Sequence, residues 1–331
     1  MRRKLLIGIA ALLGLLLVAG VVLWILKPWV PKIVFADPSP DGIRVHATGV
    51  YANFYPASAS GHWPAVMLLG GSEGGIGDGT NRIARALRAE GFTVMAPSYF
   101  GAPGQASQLE RIPLETFDRA LAWLKARPEV DPGRIAVGGV SKGAEAALLV
   151  ATRHPELRAV FAGAPSGAVW PGINWNGFFA GSSWTVRGKP LPFVPYGRFR
   201  LSVLFGDIGR LYSDGLKNLT THRGARIPVE RINAPVLLVC GERDTLWPSC
   251  AMSRQIKQRV PSVALLAYPK AGHLALGPPL DKNDPSYGGL ARWGGTAAGN
   301  NAARADGWPK ILEFLRTRLV LPVATHTETP T

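Results

Sequence analysis

The stretch Gly139-Val140-Ser141-Lys142-Gly143 decides the fold of this chain. It follows a short apolar run at residues 134–138 and precedes an alanine-rich helical run at residues 144–150. A serine flanked by glycines at a strand-to-helix turn is typical of a nucleophile elbow. An ordinary turn with a capping serine is the alternative. The glycines favour the elbow, because side chains at those positions would clash where strand and helix pass closely.

Short buried strands and amphipathic helices alternate on both sides of this elbow. Strands are predicted at residues 65–69, 92–97, 134–138, 159–163, 235–240 and 263–268, with a strand or hairpin at 43–55. Helices are predicted at residues 81–90, 114–126, 144–150 and 306–319, with Pro113 in the first turn of the second. This alternation predicts an α/β fold with a mostly parallel central sheet and helices on both faces.

Two later strand ends supply a candidate acid and a candidate base. Asp244 follows one strand in Gly241-Glu242-Arg243-Asp244, and His273 follows the next in a loop of small residues. The order Ser141, Asp244, His273 is that of an α/β-hydrolase triad. His273 would take the proton of the serine, and Asp244 would orient the imidazole. Glu242 is the alternative acid.

A glycine-rich loop after the strand at residues 65–69 is the candidate oxyanion loop. Residues 70–75 read GGSEGG, which does not match the phosphate-binding G-x-x-x-x-G-K-[ST] motif. Gly71 or Ser72 would donate one backbone N–H to the oxyanion, and Lys142 would donate the other. Chemistry of this kind requires neither a metal nor an organic cofactor.

The alternation stops from about residue 168 to about residue 226, where tryptophan, glycine and proline are frequent. Such an insertion is either a lid over an apolar binding site or a surface excursion that packs on itself. Its place after the strand at residues 159–163 favours the lid. The candidate substrate contacts are Trp170, Trp175 and Trp184 in the insertion, and Trp247 outside it.

The N-terminus carries a candidate membrane-spanning helix. Residues 1–4 form a basic flank, and residues 5–26 are uncharged. As a helix these span about 33 Å, enough for a hydrocarbon core of about 30 Å. A cleaved signal peptide would have a shorter apolar region, so an uncleaved signal anchor is favoured. Tryptophans and lysines at positions 24, 27, 29 and 32 are typical of an interfacial belt.

The charges around this helix predict its orientation. Basic residues 2–4 favour a cytoplasmic N-terminus and a catalytic domain outside the cytoplasm, in the periplasm. Lys27 and Lys32 weaken this bias, so a cytoplasmic catalytic domain is the alternative.

The chain is basic, with a formal net charge of +15. Its lysines and arginines are dispersed, without the basic run and interleaved aromatics of a nucleic-acid site, so we expect no nucleic-acid partner. An anionic lipid surface as partner and a generally basic solvated surface are both consistent with this charge.

Cys240 and Cys250 are the two cysteines of the chain. A single bridge between them is possible in an oxidising compartment. We expect instead two separate small apolar side chains, because Cys240 ends a strand-like run. Neither their spacing nor their neighbours indicate a metal site.

Several motifs, in order along the chain, resemble the C-terminal catalytic domain of acyl-CoA thioesterases and bile acid-CoA:amino acid N-acyltransferases, which is dienelactone-hydrolase-like. They are residues 70–75 (GGSEGG), 98–101 (SYFG), 112–117 (IPLETF), 140–145 (VSKGAE), 227–232 (IPVERI), 241–249 (GERDTLWPS) and 271–273 (AGH). The resemblance covers about residues 64–320 and implies an α/β-hydrolase acting on acyl thioesters. It implies Ser141 as nucleophile, Asp244 as acid and His273 as base.

This chain departs from the family in two respects. Animal members carry an N-terminal β-sandwich of ~100 residues, which we expect to be absent, since only residues 27–63, a linker and N-terminal strands, separate the apolar helix from the catalytic domain at 64–320. An outward-facing domain would also meet little acyl-CoA. Members that transfer to amino acids use a cysteine nucleophile, so Ser141 implies hydrolysis.

These features together predict a membrane-anchored serine hydrolase of small acyl thioesters or carboxylic esters. A dienelactone-hydrolase-like esterase or a serine peptidase is the alternative among enzymes. A catalytically inactive, membrane-tethered binding protein is the alternative from another class. Residues 321–331 are predicted to be a loose tail.

Overall fold

The computed structural model describes residues 2–175 and 180–320. The tail predicted at residues 321–331 lies outside the described residues. The strands are, in chain order, β1 (Ile43–Ala47), β2 (Val50–Tyr55), β3 (Trp63–Leu69), β4 (Thr93–Pro97), β5 (Ile112–Pro113), β6 (Val130–Val140), β7 (Ala159–Gly163), β8 (Trp184–Val186), β9 (Lys189–Pro190), β10 (Val236–Gly241) and β11 (Ala264–Tyr268). The helices are α1 (Arg2–Leu26), α2 (Asp78–Ala89), α3 (Glu115–Lys125), α4 (Lys142–Ala151), α5 (Gly209–Leu216), α6 (Ser249–Arg259) and α7 (Ala297–Leu319).

Eight of these strands form the central sheet, in the order β1-β2-β4-β3-β6-β7-β10-β11. The β1–β2 hairpin and the β2–β4 pair are antiparallel, and every other pair is parallel. The carboxyl ends of β3, β6, β10 and β11 therefore meet along one edge, which we call the catalytic edge. The predicted mostly parallel sheet is confirmed.

Helices cover both faces of the sheet, as the sequence predicts. In β3, Met67 and Leu69 point into the core shared with α3 and α4, and Val66 and Leu68 point into the core shared with α2 and α7. Because successive strand residues face opposite sides, a strand buried on both faces is apolar at every position. This explains the continuous apolar run of β3.

Two local predictions are wrong. Pro113 is not in the first turn of α3: it lies in β5, which pairs with β8 in a separate three-stranded sheet, β5-β8-β9. The closing helix α7 begins at Ala297 rather than residue 306, because the Thr296 side chain accepts a hydrogen bond from the Gly299 N–H and caps the helix there.

The insertion at about residues 168–226 forms a small core of its own on the catalytic edge. Its buried members include Trp170, Val194 and Tyr212, and they pack with Trp247 and Met252 of the catalytic domain. The insertion therefore packs both on itself and on the domain beside it.

The predicted separation of the two cysteines is wrong, because Cys240 and Cys250 form a disulfide. Cys240 lies near the end of β10 and Cys250 in the first turn of α6, which brings their Cα atoms to 5.2 Å. The loop from β10 brings the first turn of α6 back beside the end of the strand, a proximity that spacing alone did not indicate.

One described helix, at Leu6–Leu26, is long and apolar enough to cross a membrane, and its apolar window is not buried inside the protein. A signal sequence near the N-terminus has the same properties.

The elbow depends on close backbone contact between β6, α4 and β3. A Cβ on Gly139 would lie 2.2 Å from the Gly143 carbonyl oxygen, and a Cβ on Gly143 would lie 2.1 Å from the Leu69 oxygen. Backbone atoms cannot rotate away as side chains can, so neither glycine tolerates a substituent.

We expect Gly143→Ala to lower the free energy of unfolding by about 1–3 kcal/mol, because its new methyl group overlaps backbone. Gly79→Ala is the matched control, since Gly79 lies in α2 with nothing within 4 Å of its Cβ position. That change should be neutral or stabilising, by up to about 1 kcal/mol. Denaturation followed by circular dichroism measures both, and equal midpoints would contradict the close packing.

Candidate active site

Ser141 lies at the carboxyl end of β6 in a backbone conformation that side chains rarely adopt. Its φ is 58° and its ψ is −123°. Its N–H donates to the Gly163 carbonyl at 2.9 Å, and α4 begins with the next residue. The side chain is therefore presented at the N-terminus of a helix, where partial positive charge favours an anion. Strained conformations of this kind cluster at functional sites.

Asp244 and His273 are joined by a buried hydrogen bond. His273 Nδ1 lies 2.9 Å from Asp244 Oδ2, and the two side chains are 3% and 2% exposed. The same Oδ2 accepts from Ser249 Oγ at 2.6 Å, and Oδ1 accepts from the N–H groups of Leu246 and Trp247. These donors fix the carboxylate, which in turn fixes the imidazole ring.

The other ring nitrogen of His273 faces the substrate side of this pair. Nε2 is buried and has no hydrogen-bond partner within the described residues, so it is not hydrogen-bonded to Ser141 Oγ. The loop after His273 nevertheless reaches the elbow, since a Cβ on Gly163 would lie 2.7 Å from Leu276 Cβ. The Asp244 carboxylate can only accept, so Nδ1 is the donor of this pair, and Nε2 is the ring nitrogen left for another partner.

The two candidates for the first oxyanion donor differ in their hydrogen bonding. Gly71 N–H donates to Glu73 Oε1 at 2.9 Å, whereas the described residues provide no acceptor for the N–H of Ser72 or of Lys142. A Cβ on Gly71 would lie 3.3 Å from Ser141 Cβ, so this loop lies directly against the nucleophile candidate. Ser72 is exposed at that edge.

The Tyr99 side chain holds the glycine-rich loop at residues 70–75 in place. Its hydroxyl donates to the Gly70 carbonyl at 2.9 Å and also contacts the Gly71 carbonyl. Tyr99 is buried, and burial raises its pKa well above the usual value, so the phenol keeps the proton that it donates.

A buried ion pair joins the elbow to the insertion. Lys142 Nζ contacts Glu145 Oε2 at 3.1 Å, with side chains 2% and 0% exposed. Nζ also donates to Ser183 Oγ at 2.7 Å and to the Pro171 carbonyl at 3.3 Å. Burial lowers the pKa of Lys142 and raises that of Glu145, and the attraction between the two opposes both shifts.

Three of the four tryptophans predicted to contact substrate are buried in the protein. Trp170 donates from Nε1 to Ser166 Oγ at 2.9 Å, and Trp184 donates to Glu145 Oε1 at 2.7 Å; both are completely buried. These positions support a structural role instead, because each indole ring is buried and its N–H is already hydrogen-bonded within the protein. Sequence pattern did not distinguish an aromatic lid from an aromatic core.

The other two predicted tryptophans differ from each other in burial and position. Trp247 is 2% exposed, donates from Nε1 to the Ala164 carbonyl, and meets the His273 ring edge-on at 5.9 Å. The Trp247 indole therefore packs against one side of the His273 imidazole. Trp175 is 47% exposed, and its N–H donates to Gln108 Oε1.

The structure also bears on the alternative acid and on a possible metal site. Glu242 forms an ion pair with Arg254, whereas His273 Nδ1 is bonded to Asp244, so the geometry favours Asp244 over Glu242 as the acid. Among the residues that the structure describes, no group of metal-ligating side chains is present.

Sequence reasoning missed Ser249 and Glu145. Ser249 could have been suspected as a hydroxyl shortly after the acid. Glu145 could have been suspected as a carboxylate three residues after Lys142 on a helix that is otherwise apolar.

We expect Lys142→Met to lower the free energy of unfolding by about 3–5 kcal/mol, because it leaves the Glu145 carboxylate buried without its partner. The double variant Lys142→Met/Glu145→Gln should regain part of that loss. Lys310→Met is the control, since the Lys310–Asp306 pair is half exposed and its loss should have a smaller effect. Urea denaturation measures the three variants, and a double variant that is no more stable than Lys142→Met would contradict the coupling.

The sequence profile described as "BAAT / Acyl-CoA thioester hydrolase C terminal" matches residues 112–320. The chain is similar to acyl-coenzyme A thioesterase 1 of Homo sapiens, 27% identical over 85% of this chain and 66% of that protein. It is also similar to bile acid-CoA:amino acid N-acyltransferase of Mus musculus, 25% identical over 86% of this chain and 67% of that protein.

Another relative, the mitochondrial acyl-coenzyme A thioesterase 2 of Homo sapiens, is matched over only 58% of its length. The chain therefore spans about three fifths to two thirds of the relatives it matches. Among solved structures, a putative dienelactone hydrolase from Klebsiella pneumoniae aligns with a TM-score of 0.50 at 17% identity, over 80% of this chain and 92% of that one. The chain has the α/β-hydrolase fold and belongs to the BAAT/acyl-CoA thioester hydrolase C-terminal family.

Proposed function

We propose that this protein is a serine hydrolase that cleaves acyl thioesters or carboxylic esters through an acyl-enzyme on Ser141. The observation that carries this proposal is the buried, unpartnered Nε2 of His273, whose opposite nitrogen is held by Asp244. An unpaired buried nitrogen is costly, and a catalytic role is one of the explanations for its presence in a native structure. Ser141, strained at the same edge, is the residue that can use it.

In the proposed mechanism, His273 Nε2 takes the proton from Ser141 Oγ as the oxygen attacks the acyl carbon. The imidazolium, stabilised by Asp244, then gives this proton to the departing thiol or alcohol. Water repeats the sequence on the acyl-enzyme and releases the acid. The hydrogen bond that is missing between serine and histidine would form as substrate binds, since such bonds are often long in free enzymes.

The negative charge of the tetrahedral intermediate needs donors that are free before the reaction starts. The N–H groups of Ser72 and Lys142 meet this requirement, whereas that of Gly71 already serves Glu73. We therefore assign the oxyanion site to Ser72 and Lys142. Glu73 holds the loop in shape by also accepting from Thr80 Oγ1 at 3.0 Å.

Two kinds of relative support an acyl-transfer chemistry on this fold, because an acyl-CoA thioesterase and an acyl-CoA-dependent N-acyltransferase both match. A serine nucleophile favours water as the acyl acceptor in this chain. The insertion is hydrogen-bonded to the elbow helix through Lys142, which supports our proposal that it covers the acyl group.

We further propose that Leu6–Leu26 anchors the protein in a membrane, with the catalytic domain outside the cytoplasm. The Cys240–Cys250 disulfide supports this side, because disulfides persist in oxidising compartments and are rare in the cytosol. Acyl-CoA is a cytosolic substrate, so an outward-facing domain favours another acyl ester or thioester.

Labelling by a fluorophosphonate probe tests the site. We expect wild-type protein to label and Ser141→Ala to lose all labelling, because the probe reacts with an activated serine. Ser72→Ala is the control and should keep labelling, since it preserves the backbone N–H. No labelling of the wild type would exclude the enzyme, and labelling that survives in Ser141→Ala would exclude the assignment of the nucleophile.

Topology is tested on the full chain in cells. With the domain outside the cytoplasm, protease added to spheroplasts should digest it, and a maleimide reagent should modify Cys240 and Cys250 only after reduction. If the domain resists protease and its cysteines are alkylated without reduction, the domain lies in the cytoplasm and the proposed topology is wrong.

A further inference from the structure

The segment that leaves the apolar helix is bonded to the insertion. Trp29 Nε1 donates to the Trp175 carbonyl at 3.2 Å. Trp29 comes three residues after Leu26, the last residue of α1. Because an extended chain spans at most about 3.6 Å per residue, the end of α1 lies within about 11 Å of Trp29. The insertion is therefore held close to the end of the helix.

The same segment then crosses the catalytic edge. Ile33 packs on Gly74 and Gly101, since a Cβ on either glycine would lie 2.9 Å from its side chain. Ala36 N–H donates to the Ile76 carbonyl at 2.9 Å. Gly74 belongs to the loop that carries Ser72, so residues 29–36 run along the mouth of the site. The chain enters the domain on the side of Ser141.

Exposed apolar side chains occur mainly in the segment that leaves α1 and in the insertion. Outside α1, the large apolar side chains that the described structure exposes are Trp29, Val34, Ile43, Trp175, Phe199, Leu201 and Val320. All except Ile43 and Val320 lie in the segment that leaves α1 or in the insertion. Phe199 and Leu201 precede α5, whose first residue, Gly209, abuts the Thr245 carbonyl beside Asp244.

Basic residues accompany this apolar surface. Arg198 and Arg200 flank Phe199, and both are exposed; Arg200 lies 3.6 Å from Asp214. Lys27 and Lys32 lie on the segment that leaves α1. Tryptophan with lysine and arginine is the composition of surfaces that rest at the level of lipid head groups. The pattern fits a bilayer better than a protein partner, because α1 holds this edge near the end of a membrane span.

We propose that the catalytic edge faces the bilayer that α1 spans, and that the substrate is an acyl ester or thioester resident in that bilayer. Trp29, Trp175, Phe199 and Leu201 form the surface that rests on the lipid. The inference rests on the proposed hydrolase and on the membrane anchor. The expected substrate is then not a soluble ester but one whose acyl chain already lies in the lipid.

A longer tether tests the proposal. A flexible Gly/Ser segment of about 16 residues between Leu26 and Lys27 adds about 22 Å of mean reach. Full-length protein is reconstituted into phosphatidylcholine–phosphatidylglycerol vesicles, with p-nitrophenyl palmitate in the bilayer and p-nitrophenyl butyrate in solution. We expect hydrolysis of the palmitate to fall about tenfold and hydrolysis of the butyrate to stay unchanged. The same segment placed ahead of Met1 is the control and should alter neither rate.

If the longer tether leaves the hydrolysis of palmitate and of butyrate unchanged, the proposal is overturned. An equal loss of both hydrolysis rates would also overturn it. If the unaltered protein hydrolyses neither ester, the proposed function fails, and the orientation is decided by a measurement that needs no activity.

Fluorescent labels on Ser141→Ala protein supply that measurement. Trp175→Cys places an environment-sensitive label on the proposed lipid-facing surface, and Ala126→Cys places it on an exposed position at the opposite edge, before β6. We expect lipid-borne doxyl groups to quench the label at position 175 and to leave that at position 126 unchanged. Equal quenching at both positions, or none at 175, would overturn the proposed orientation.

Discussion

The backbones of β6, α4 and β3 approach so closely at the elbow that Gly139 and Gly143 have no room for a side chain. The chain can then turn from strand to helix within one residue, and Ser141 takes up the strain of that turn with a positive φ. Its side chain consequently stands clear of the sheet at the start of a helix. The geometry of the candidate oxyanion loop, whose Gly71 lies against Ser141, depends on the same close approach.

Each other part of the site is fixed by a different device. The disulfide between Cys240 and Cys250 closes the loop that carries Asp244, and Ser249 holds the carboxylate from inside that loop. The ion pair of Lys142 with Glu145 fastens the insertion to the elbow helix. Because the burial of charges is costly, this pair restricts how the insertion can be placed more than it stabilises the fold.

Much of this could be predicted from the sequence, because strands and helices follow apolar periodicity and Ser141, Asp244 and His273 follow strand ends in a fixed order. The sheet, its helices on both faces and the Asp244–His273 contact follow from local pattern and topology. Burial of Trp170 and Trp184 could not be predicted, since an aromatic residue in an irregular segment suits a lid and a core equally. The disulfide depends on how the loop after β10 positions the first turn of α6 beside the strand, which the spacing of the cysteines does not specify.

The account centres on Ser141 as the residue that carries the acyl group. Full-length protein mixed with an activated acyl ester and quenched in acid within milliseconds can be digested and its peptides weighed. The account predicts a mass increase equal to the acyl group on the peptide that contains Ser141, followed by its loss as acid is released. Product release with no adduct there, or an adduct on another residue, would contradict it.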